Sequence, residues 1–495
     1  MNIVLAVDIG GSSLRTALVD GEGTILAIEA TSDVPLVDQG DQSEIDPEHW
    51  WQAFARTSAA LAARLPRAFS GIAVISVCGL TRTQVFLDGR GIAPRPAMSW
   101  KDGRAQAGDG DLPPDFAHPE IPNLGPYHPA SRLAWVRRHE PEIFGRIAVV
   151  IEPKDYLNFR LTGTVSSDPI SQARLAASAE PRNGVSLLDR LSISRRILPP
   201  WRLPAEVAGV VSAGHLPPFD RLAGTPVAVG CHDTYAAVLG LGALRPGYAY
   251  NISGTTEVLG LFSERPAEAD GLVSVDWGIC HQLGGPSQNG ADVLRWLLPT
   301  LGIDVSTPEA VEKALNETGG GGGDAAPLLF LPFLQGERVP YWDPDLRGAF
   351  IGLNRHHTAG NLIQAALEGI AFQNRDVLER AESAFAMTAT GIRFGGGGAR
   401  SARWAAIKAD VLRRPVSVGA AEEPGVIGAA ILGLTAIGVF PTLEEAQQVL
   451  AKVSRAHQPN PDRAAFYDRL YDAYMNAQAA VRPLSHTLAR MFRKQ

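Results

Sequence analysis

Gly-Cys-His-Asp-Thr-Tyr-Ala-Ala, at residues 230–237, is the stretch that decides how the fold is interpreted. An apolar run at 226–229 precedes it and small residues follow it to Gly242, so the pattern predicts a buried strand, a glycine turn and a helix. Asp233 then lies between strand and helix, where the helix dipole keeps a carboxylate ionised and where open α/β sheets bind ligands. Asp233 is therefore a candidate general base, with a helix N-cap as its alternative role.

A hairpin with glycines and hydroxyls in its turn occurs twice in the chain, at 3–19 and again at 248–262. The turn residues are Asp8, Gly10, Gly11, Ser12 and Ser13 in the first copy and Gly254, Thr255 and Thr256 in the second. Successive backbone N–H groups in such a turn suit a phosphate, and Asp8 could hold Mg²⁺ through water. For each hairpin taken alone, a turn without a ligand is the alternative.

The repeated hairpin predicts a structural duplication, with two α/β domains that face one another across a cleft holding a phosphate chain. Each half also contains a later strand, glycine turn and helix, at 227–241 and at 392–412. Pro and Gly interrupt the pattern at 244–247, so we expect domains at 1–245 and 246–455, followed by a C-terminal helical segment at 456–495. Phe466, Leu470 and Tyr474 of the last helix, at four-residue spacing, are expected to pack in the core. Pro483 is expected to kink or end this helix.

Composition excludes several classes of protein. With 495 residues, 45% of them hydrophobic, the chain is long enough for two or three domains with substantial cores. The net charge of −7 and the lack of a basic block argue against nucleic acid or an anionic membrane as a partner. Three dispersed Cys residues predict neither a disulfide framework nor a zinc site, and no apolar run of 18 residues occurs. We expect a cytoplasmic protein.

Polar residues follow the predicted buried strand at 71–78. Thr81 and Arg82 come directly after it, so their side chains are expected to project into the cleft, although Arg82 as a solvated loop cation is an equal alternative. Further motifs run along nearly the whole chain: Asp8-Ile9-Gly10, Trp100-x-Asp102-x-Arg104, Arg132-Leu133-x-Trp135, Pro153-Lys154-Asp155-Tyr156, Gly254-Thr255-Thr256, Gly336-Glu337-Arg338-x-Pro340 and Gly396-Gly397-Gly398-Ala399-Arg400-Ser401.

In this order, and together with Asp233, the motifs resemble those of the FGGY carbohydrate kinases and, within that family, the xylulokinases. The resemblance implies an α/β fold of two ribonuclease-H-like domains hinged about a central cleft. It also implies ATP and Mg²⁺ as cofactors, a small sugar as substrate and, as one option for assembly, a homodimer. Asp233 is then the catalytic base, and Asp8 and Asp233 are expected to lie at the metal, with water between.

The same resemblance assigns the remaining site residues. Those expected to bind the sugar are Thr81, Arg82, Trp100, Asp102, Tyr127 and Thr234. Those expected to bind ATP or its phosphates are Gly10, Gly11, Ser12, Ser13, Arg15, Gly254, Thr255, Thr256, Gly396, Gly397, Gly398, Ala399 and Ser401.

Departures from the family pattern fall at the substrate pocket and in the first hairpin turn. Xylulokinases carry Met-His where this chain has Thr81 and Arg82, and Asn where it has Thr234, while Gly11 replaces a usual Thr. Glycerol kinases share a Tyr at the position of Tyr127 but carry Arg-Glu at the former pair. We expect a ketose substrate, with D-xylulose giving the 5-phosphate as the leading candidate; another ketose, a polyol of the glycerol or erythritol type and a sugar acid are alternatives.

Two other functional classes compete with a sugar kinase. A nucleotide-dependent oxidoreductase needs Gly-x-Gly-x-x-Gly, and position 400 is Arg where the third Gly belongs. A non-catalytic ATP-binding regulator on the same fold would be expected to lose its base, but Asp8 and Asp233 are both present.

Overall fold

The computed structural model describes residues 2–11, 13–105, 125–181, 184–317 and 327–492. These residues form two compact units. Unit 1 comprises Met1–Gly240 and Glu423–Ala451, and unit 2 comprises Leu241–Glu422 and Lys452–Gln495. Across the described residues, we find no helix with the length and apolar character needed to cross a bilayer.

The elements follow one another in chain order. The strands are β1 (Ile3–Ile9), β2 (Leu14–Val19), β3 (Ile25–Thr31), β4 (Val37–Gln39), β5 (Gln42–Ile45), β6 (Ile72–Gly79), β7 (Val85–Asp88), β8 (Ala97–Met98), β9 (Ile147–Ile151), β10 (Val207–Val210), β11 (Pro226–Ala228), β12 (Tyr248–Ser253), β13 (Glu257–Ser263), β14 (Val273–Asp276), β15 (His281–Pro286), β16 (Leu329–Leu331), β17 (Ala349–Ile351), β18 (Gly391–Gly395), β19 (Val416–Gly419) and β20 (Val453–His457). The α-helices are α1 (Pro47–Arg64), α2 (Pro66–Ser70), α3 (Pro129–His139), α4 (Pro141–Phe144), α5 (Pro153–Thr162), α6 (Ala173–Ala177), α7 (Leu187–Arg190), α8 (Asp233–Gly240), α9 (Ala291–Thr300), α10 (Pro308–Glu317), α11 (Ala359–Phe385), α12 (Ala402–Leu412), α13 (Pro424–Ala436), α14 (Leu443–Leu450) and α15 (Pro461–Phe492). Short 3₁₀ segments occur at Arg195–Ile197, Phe219–Leu222 and Gly397–Arg400.

Unit 1 is built on a mixed sheet with the order β10-β11-β6-β1-β2-β3. Strands β1, β2 and β3 form an antiparallel meander, while β6 runs parallel to β1 and β11 runs parallel to β6. Strand β1 is almost entirely buried, as expected for an apolar run that is covered on both faces of a sheet. The parallel β1, β6 and β11 therefore point their carboxyl ends towards one edge.

Unit 2 repeats this arrangement in a sheet ordered β14-β15-β13-β12-β18-β19-β20. Its antiparallel meander is β12, β13 and β15, and the parallel strands are β18 beside β12 and β19 beside β18. The predicted α/β class with two similar domains is thus confirmed.

One detail of the predicted duplication is wrong. The sequence pattern equated β11 with β18, because a glycine turn and a helix follow both strands. In the structure β18 pairs directly with β12, as β6 pairs with β1, whereas β11 is separated from β1 by β6. A strand, glycine turn and helix recur within each sheet, and the pattern alone does not reveal the position of a strand in that sheet.

Unit 1 also differs from the predicted first domain, because it includes Glu423–Ala451. Helix α13 in this segment lies directly against α8. A Cβ atom at Gly240 would come within 1.8 Å of the Pro424 carbonyl oxygen, and one at Gly428 within 1.8 Å of the Ala236 carbonyl oxygen. Backbone contact this close requires glycine at both positions and ties α13 to unit 1, although the predicted second domain ran from 246 to 455.

The C-terminal helix α15 belongs to unit 2 and contributes to its core. Leu470 and Tyr474 are buried there, as predicted, and the ring of Tyr474 lies 5.4 Å from that of Phe372. Phe466, expected in the same core stripe, is exposed instead. The helix continues through Pro483 to Phe492 and does not end at the proline.

Gly428→Ala should destabilise unit 1, because the added methyl group would overlap the backbone of α8, which cannot move away from the sheet. Overpacking of this kind typically costs about 1 to 3 kcal/mol. We expect a lower midpoint for the unit-1 transition in differential scanning calorimetry. Gly89→Ala is the matched control, since a Cβ atom at Gly89 meets nothing within 4 Å. Equal midpoints for the two variants would show that the α8–α13 contact is looser than described.

Candidate active site

The carboxyl edge of the unit-1 sheet gathers the predicted catalytic residues. The register places Asp8 of β1 level with Cys78 of β6, and Gly79 of β6 level with His232, which follows β11. Asp233 is the next residue and the first of α8. Parallel strands end at the same edge, so both carboxylates, Asp8 and Asp233, reach the side of the sheet where α/β folds bind ligands.

Asp8 is largely enclosed by protein. The Cys78 thiol lies 3.6 Å from its Oδ1, and a Cβ atom at Gly425, in the first turn of α13, would lie 2.6 Å from its Oδ2. Burial, and next the repulsion from Asp233, raise the pKa of Asp8 to about 7. The nearby guanidinium of Arg15 lowers the pKa but does not offset these two effects. A cation at this position would relieve the repulsion between the two carboxylates.

Asp233 is more accessible, with 36% of its side chain exposed. The backbone N–H of Thr234 donates to its Oδ1 at 2.6 Å, and the Thr234 hydroxyl donates to the same oxygen at 3.2 Å. The imidazole of His232 lies 4.0 Å away. Thr234, predicted to contact the sugar, therefore orients the carboxylate of Asp233 in this structure.

The first hairpin turn is held by a bond from the Gly10 N–H to the Ser13 carbonyl oxygen, at 2.8 Å. Gly11 is exposed and a side chain there would meet nothing within 4 Å, whereas Ser12 lies outside the described residues. Arg15, from β2, forms an ion pair of 3.0 Å with Glu423. No motif in the sequence pointed to Glu423, which lies in the segment assigned to the other domain.

Arg82 follows β6 in a left-handed conformation, with φ of 56°. Its N–H donates to Glu152 Oε1 at 2.7 Å, and its carbonyl oxygen accepts from the Arg132 guanidinium at 2.5 Å. The hydroxyl of Thr81 donates to the Ser171 carbonyl oxygen at 3.0 Å. A strained backbone fixed on both sides by buried groups is typical of functional positions.

Glu152 was missed by the sequence analysis, although it directly precedes the Pro153-Lys154-Asp155 motif. Burial, and next the charge of Asp155, raise its pKa well above the ordinary value for a glutamate. The raised pKa favours the protonated carboxyl group, and its Oε1 accepts the Arg82 N–H.

The other predicted sugar residues divide into two groups. Trp100 and Tyr127 are exposed, at 46% and 52%, and present aromatic surface to solvent. Asp102 is completely buried, where it accepts the Ser43 N–H at 3.0 Å and pairs with Arg104 at 2.8 Å. The contacts of Asp102 thus stabilise the loop.

In unit 2, the second hairpin turn and the glycine-rich turn are neighbours. The Gly254 N–H donates to the Thr256 carbonyl oxygen at 2.9 Å, and Gly254 and Thr255 are exposed. Cβ atoms at Gly396 and Gly398 would lie within 2.4 Å and 2.6 Å of atoms of Ser253, which ends β12.

The glycine-rich turn has one open position. Gly397 is exposed and a Cβ atom there meets nothing within 4 Å, whereas Gly398 and Ala399 are buried. Ser401 caps α12 by accepting the Trp404 N–H at 3.2 Å. The turn is therefore packed tightly against Ser253, while its backbone at Gly397 is accessible.

A metal site enclosed by protein ligands is not found in the part of the chain that the structure describes, where no group of three or more His, Cys, Asp or Glu side chains is suitably placed. Mg²⁺ usually needs only one or two carboxylates, with water and substrate phosphates completing its shell. The adjacent Asp8 and Asp233 fit that requirement.

Comparison with known proteins identifies the family. The N-terminal domain of the FGGY family of carbohydrate kinases matches residues 3–240, and its C-terminal domain matches residues 249–437. The chain belongs to the FGGY family of carbohydrate kinases.

Individual relatives are similar along nearly their whole length. The xylulose kinase of Lactococcus lactis is 27% identical, over 99% of both chains, and the gluconokinase of Bacillus subtilis is 26% identical, over 96% of this chain and 95% of its own. The crystal structure of a xyloylose kinase from Brucella ovis superposes with a TM-score of 0.83 at 28% identity, covering 98% of this chain and all of that one. As an FGGY kinase, the protein is a sugar phosphotransferase, and the predicted family and enzyme class are confirmed.

Asp8→Asn should change how stability depends on pH. The pKa of Asp8 is about 7 in the folded chain against an ordinary 3.8, so the folded state holds the extra proton between these values. The contribution of Asp8 to stability is therefore greatest at low pH and is lost as the pH rises through about 7, by roughly 4 kcal/mol at most. The Asn side chain does not titrate in this range, so the variant does not lose stability in this way.

With EDTA and no nucleotide, the calorimetric midpoint of Asp8→Asn should exceed that of the parent more at pH 8 than at pH 5. A midpoint difference that is the same at both pH values would contradict a buried, proton-holding Asp8.

Proposed function

We propose that this FGGY kinase transfers the γ-phosphoryl group of ATP to a hydroxyl of a small sugar, with Asp233 as the general base. The observation that carries the proposal is the position of Asp233. Its carboxylate is partly exposed at the carboxyl edge of the sheet, one oxygen is oriented by Thr234, and Asp8 reaches the same edge. Oriented, accessible carboxylates in such places suit proton transfer from a bound substrate.

Asp233 acts on a hydroxyl that is too weak an acid to attack unaided. The proton passes to the Asp233 carboxylate as the sugar oxygen forms a bond to the γ-phosphorus. The bond from that phosphorus to the bridging oxygen breaks, and ADP leaves with the electron pair. The products are a sugar phosphate and ADP, and the base later returns its proton to water.

Asp8 and Asp233 are the residues that we assign to Mg²⁺, through water. When bound, the ion neutralises charge on the phosphates. Asp8 would have to be ionised for this role, and its pKa of about 7 makes that ionisation depend on pH near neutrality. Asp233 keeps one oxygen directed by Thr234 and reaches solvent with the rest of its carboxylate.

For the nucleotide, we assign the Gly254–Thr256 turn and the Gly396–Ser401 turn of unit 2. Their contact through Ser253, with exposed backbone at Gly254 and Gly397, supports this assignment. The Gly10–Ser13 turn of unit 1 offers similar backbone chemistry and is assigned to phosphate, with Arg15 beside it.

D-Xylulose is the neutral substrate that we propose, with the 5-phosphate as product. Its support is the similarity, over nearly the full chain, to proteins named xylulose kinase. Trp100 and Tyr127 supply exposed aromatic surface on which the apolar face of a sugar can pack. An ADP-release assay with D-xylulose, other ketoses, glycerol and erythritol tests the choice, and the proposal requires the highest kcat/KM among these for D-xylulose.

Asp233→Asn should lower kcat by about 10²- to 10⁴-fold, because an amide cannot accept the proton. ATP binding and the thermal midpoint should stay close to those of the parent, since Asn can still accept the Thr234 N–H. The measurement is kcat from steady-state ADP release, with calorimetric ATP affinity as the control. A purified variant with near-parental turnover would remove Asp233 from the mechanism.

Gly397→Val should weaken ATP binding without unfolding the chain. The position is open in the structure, so the side chain fits the free protein but blocks close approach of a nucleotide to the backbone. Gly398→Ala is the contrasting variant, because its Cβ would overlap Ser253 and Trp404 and lower the thermal midpoint instead. Unchanged ATP affinity in Gly397→Val, by titration calorimetry, would mean that the nucleotide lies elsewhere.

A further inference from the structure

Two arginines near the catalytic edge of unit 1 have no carboxylate partner among the residues that the structure describes. Within the described ranges, the guanidinium groups of Arg82 and Arg174 make neither an ion pair nor a hydrogen bond, and both residues are exposed. The nearby Arg95 and Arg104 are different, because Arg95 pairs with Glu44 and Glu140, and Arg104 with Glu44 and Asp102. Guanidinium groups that lack a protein partner, close to arginines that have one, suggest that a ligand is their partner.

Arg82 and Arg174 lie close to one another. The hydroxyl of Thr81, the residue before Arg82, bonds to the Ser171 carbonyl oxygen at 3.0 Å, and Ser171 leads into α6, which contains Arg174. Protein around Arg174, and next the positive charge of Arg82, lower the pKa of Arg174 to about 10. The two cations therefore repel each other.

The acids around this pair do not form ion pairs with it. Burial raises the pKa of Glu152, and its Oε1 accepts the Arg82 N–H. Glu152 and then Asp233 exert a negative charge on Arg82, but neither forms an ion pair with its guanidinium group. Arg132 adds a third guanidinium, which is bonded to the carbonyl oxygens of Arg82 and Trp100.

The backbone of Arg82 is held in a conformation that residues other than glycine do not favour. A non-glycine residue with φ of 56° is strained, and the buried Glu152 and Arg132 hold it from both sides. Glu152 Oε2 and Arg132 Nε are both buried without a hydrogen-bond partner, which is a further cost of this arrangement. This cost is explained if binding of a ligand requires the Arg82 side chain to point in one particular direction.

We infer that Arg82 and Arg174 form an anion subsite beside Asp233, which binds the carboxylate of a sugar acid, so that the enzyme phosphorylates aldonates as well as D-xylulose. The inference rests on the proposed function, because it uses Asp233 as the base for both substrates. Guanidinium groups match a carboxylate with two parallel N–H donors, whereas a neutral sugar offers no charge to offset the repulsion. The aldonate binds with its carboxylate at the two arginines and a hydroxyl at Asp233.

The test compares matched acids and alditols on the full-length enzyme with ATP and Mg²⁺. D-Gluconate and D-glucitol form one pair and D-xylonate and xylitol the other, with D-xylulose as reference. For at least one pair, kcat/KM should be about 10-fold or more higher for the acid. Arg174→Gln and Arg82→Gln should each lower the acid-to-alditol ratio by roughly 10- to 150-fold, the effect of losing a charged hydrogen bond. Arg82→Lys should retain part of the preference.

Arg67→Gln is the matched control, an exposed arginine of α2 that precedes the opposite end of β6. It should leave the ratio as in the parent. An enzyme that phosphorylates D-xylulose but prefers the alditol of each pair overturns the anion subsite, and so does an acid preference that survives in both Gln variants with parental thermal midpoints.

Failure of the proposed function gives a different result. If none of the five compounds is phosphorylated, calorimetric titration with D-gluconate and D-xylonate decides about the subsite alone. Binding of either acid that is lost in Arg174→Gln and kept in Arg67→Gln upholds it, and absence of binding overturns it.

Discussion

Backbone contact between helices α8 and α13 is the constraint on which the active-site edge of unit 1 depends. Gly240 and Gly428 let the two helices approach until a methyl group would overlap a carbonyl oxygen. Because α13 is held there, its first turn places Gly425 against the Asp8 carboxylate, and Glu423 reaches Arg15. The burial that raises the pKa of Asp8 is therefore a consequence of helix packing as much as of the strand that carries it.

The buried charges of unit 1 fall into two kinds. Lys154 lies between Asp155, at 2.5 Å, and Asp168, at 2.9 Å, so these completely buried groups of opposite charge pair with one another. Buried pairs of this type are costly to break but need no ligand. Asp8 and Asp233 repel each other instead, and so do Arg82 and Arg174. Groups that raise the energy of the free protein in this way are typical of sites where a cation or an anion binds.

These two kinds of charge explain why motif residues differ in role. Asp102 belongs to a motif associated with the sugar, but it is paired with Arg104 and fully buried. Arg82 follows a strand where a solvated loop cation was an equal interpretation, yet its backbone is held by Glu152 and Arg132. A sequence shows which polar residues are present, whereas the identity of their partners depends on segments that are distant in the chain.

The sequence by itself determined the features that depend on neighbouring residues. Both hairpins, the strand-to-helix turn at Asp233 and the two-domain α/β class follow from the alternation of apolar runs with glycine turns, which is local chemistry. Motif order was enough to indicate the family. A motif shows which types of residue are present, but it did not decide whether each residue has a structural or a functional role.

The tertiary structure alone decided which segments meet. It joined Glu423–Ala451 to unit 1, made β18 the counterpart of β6, buried Asp102 and brought Arg174 close to Arg82. The physical reason is that these outcomes depend on long-range packing and on the cost of burying charge, neither of which leaves a periodic pattern in the sequence. Helix α13 is the clearest case, because its glycines are meaningful only opposite the backbone of α8.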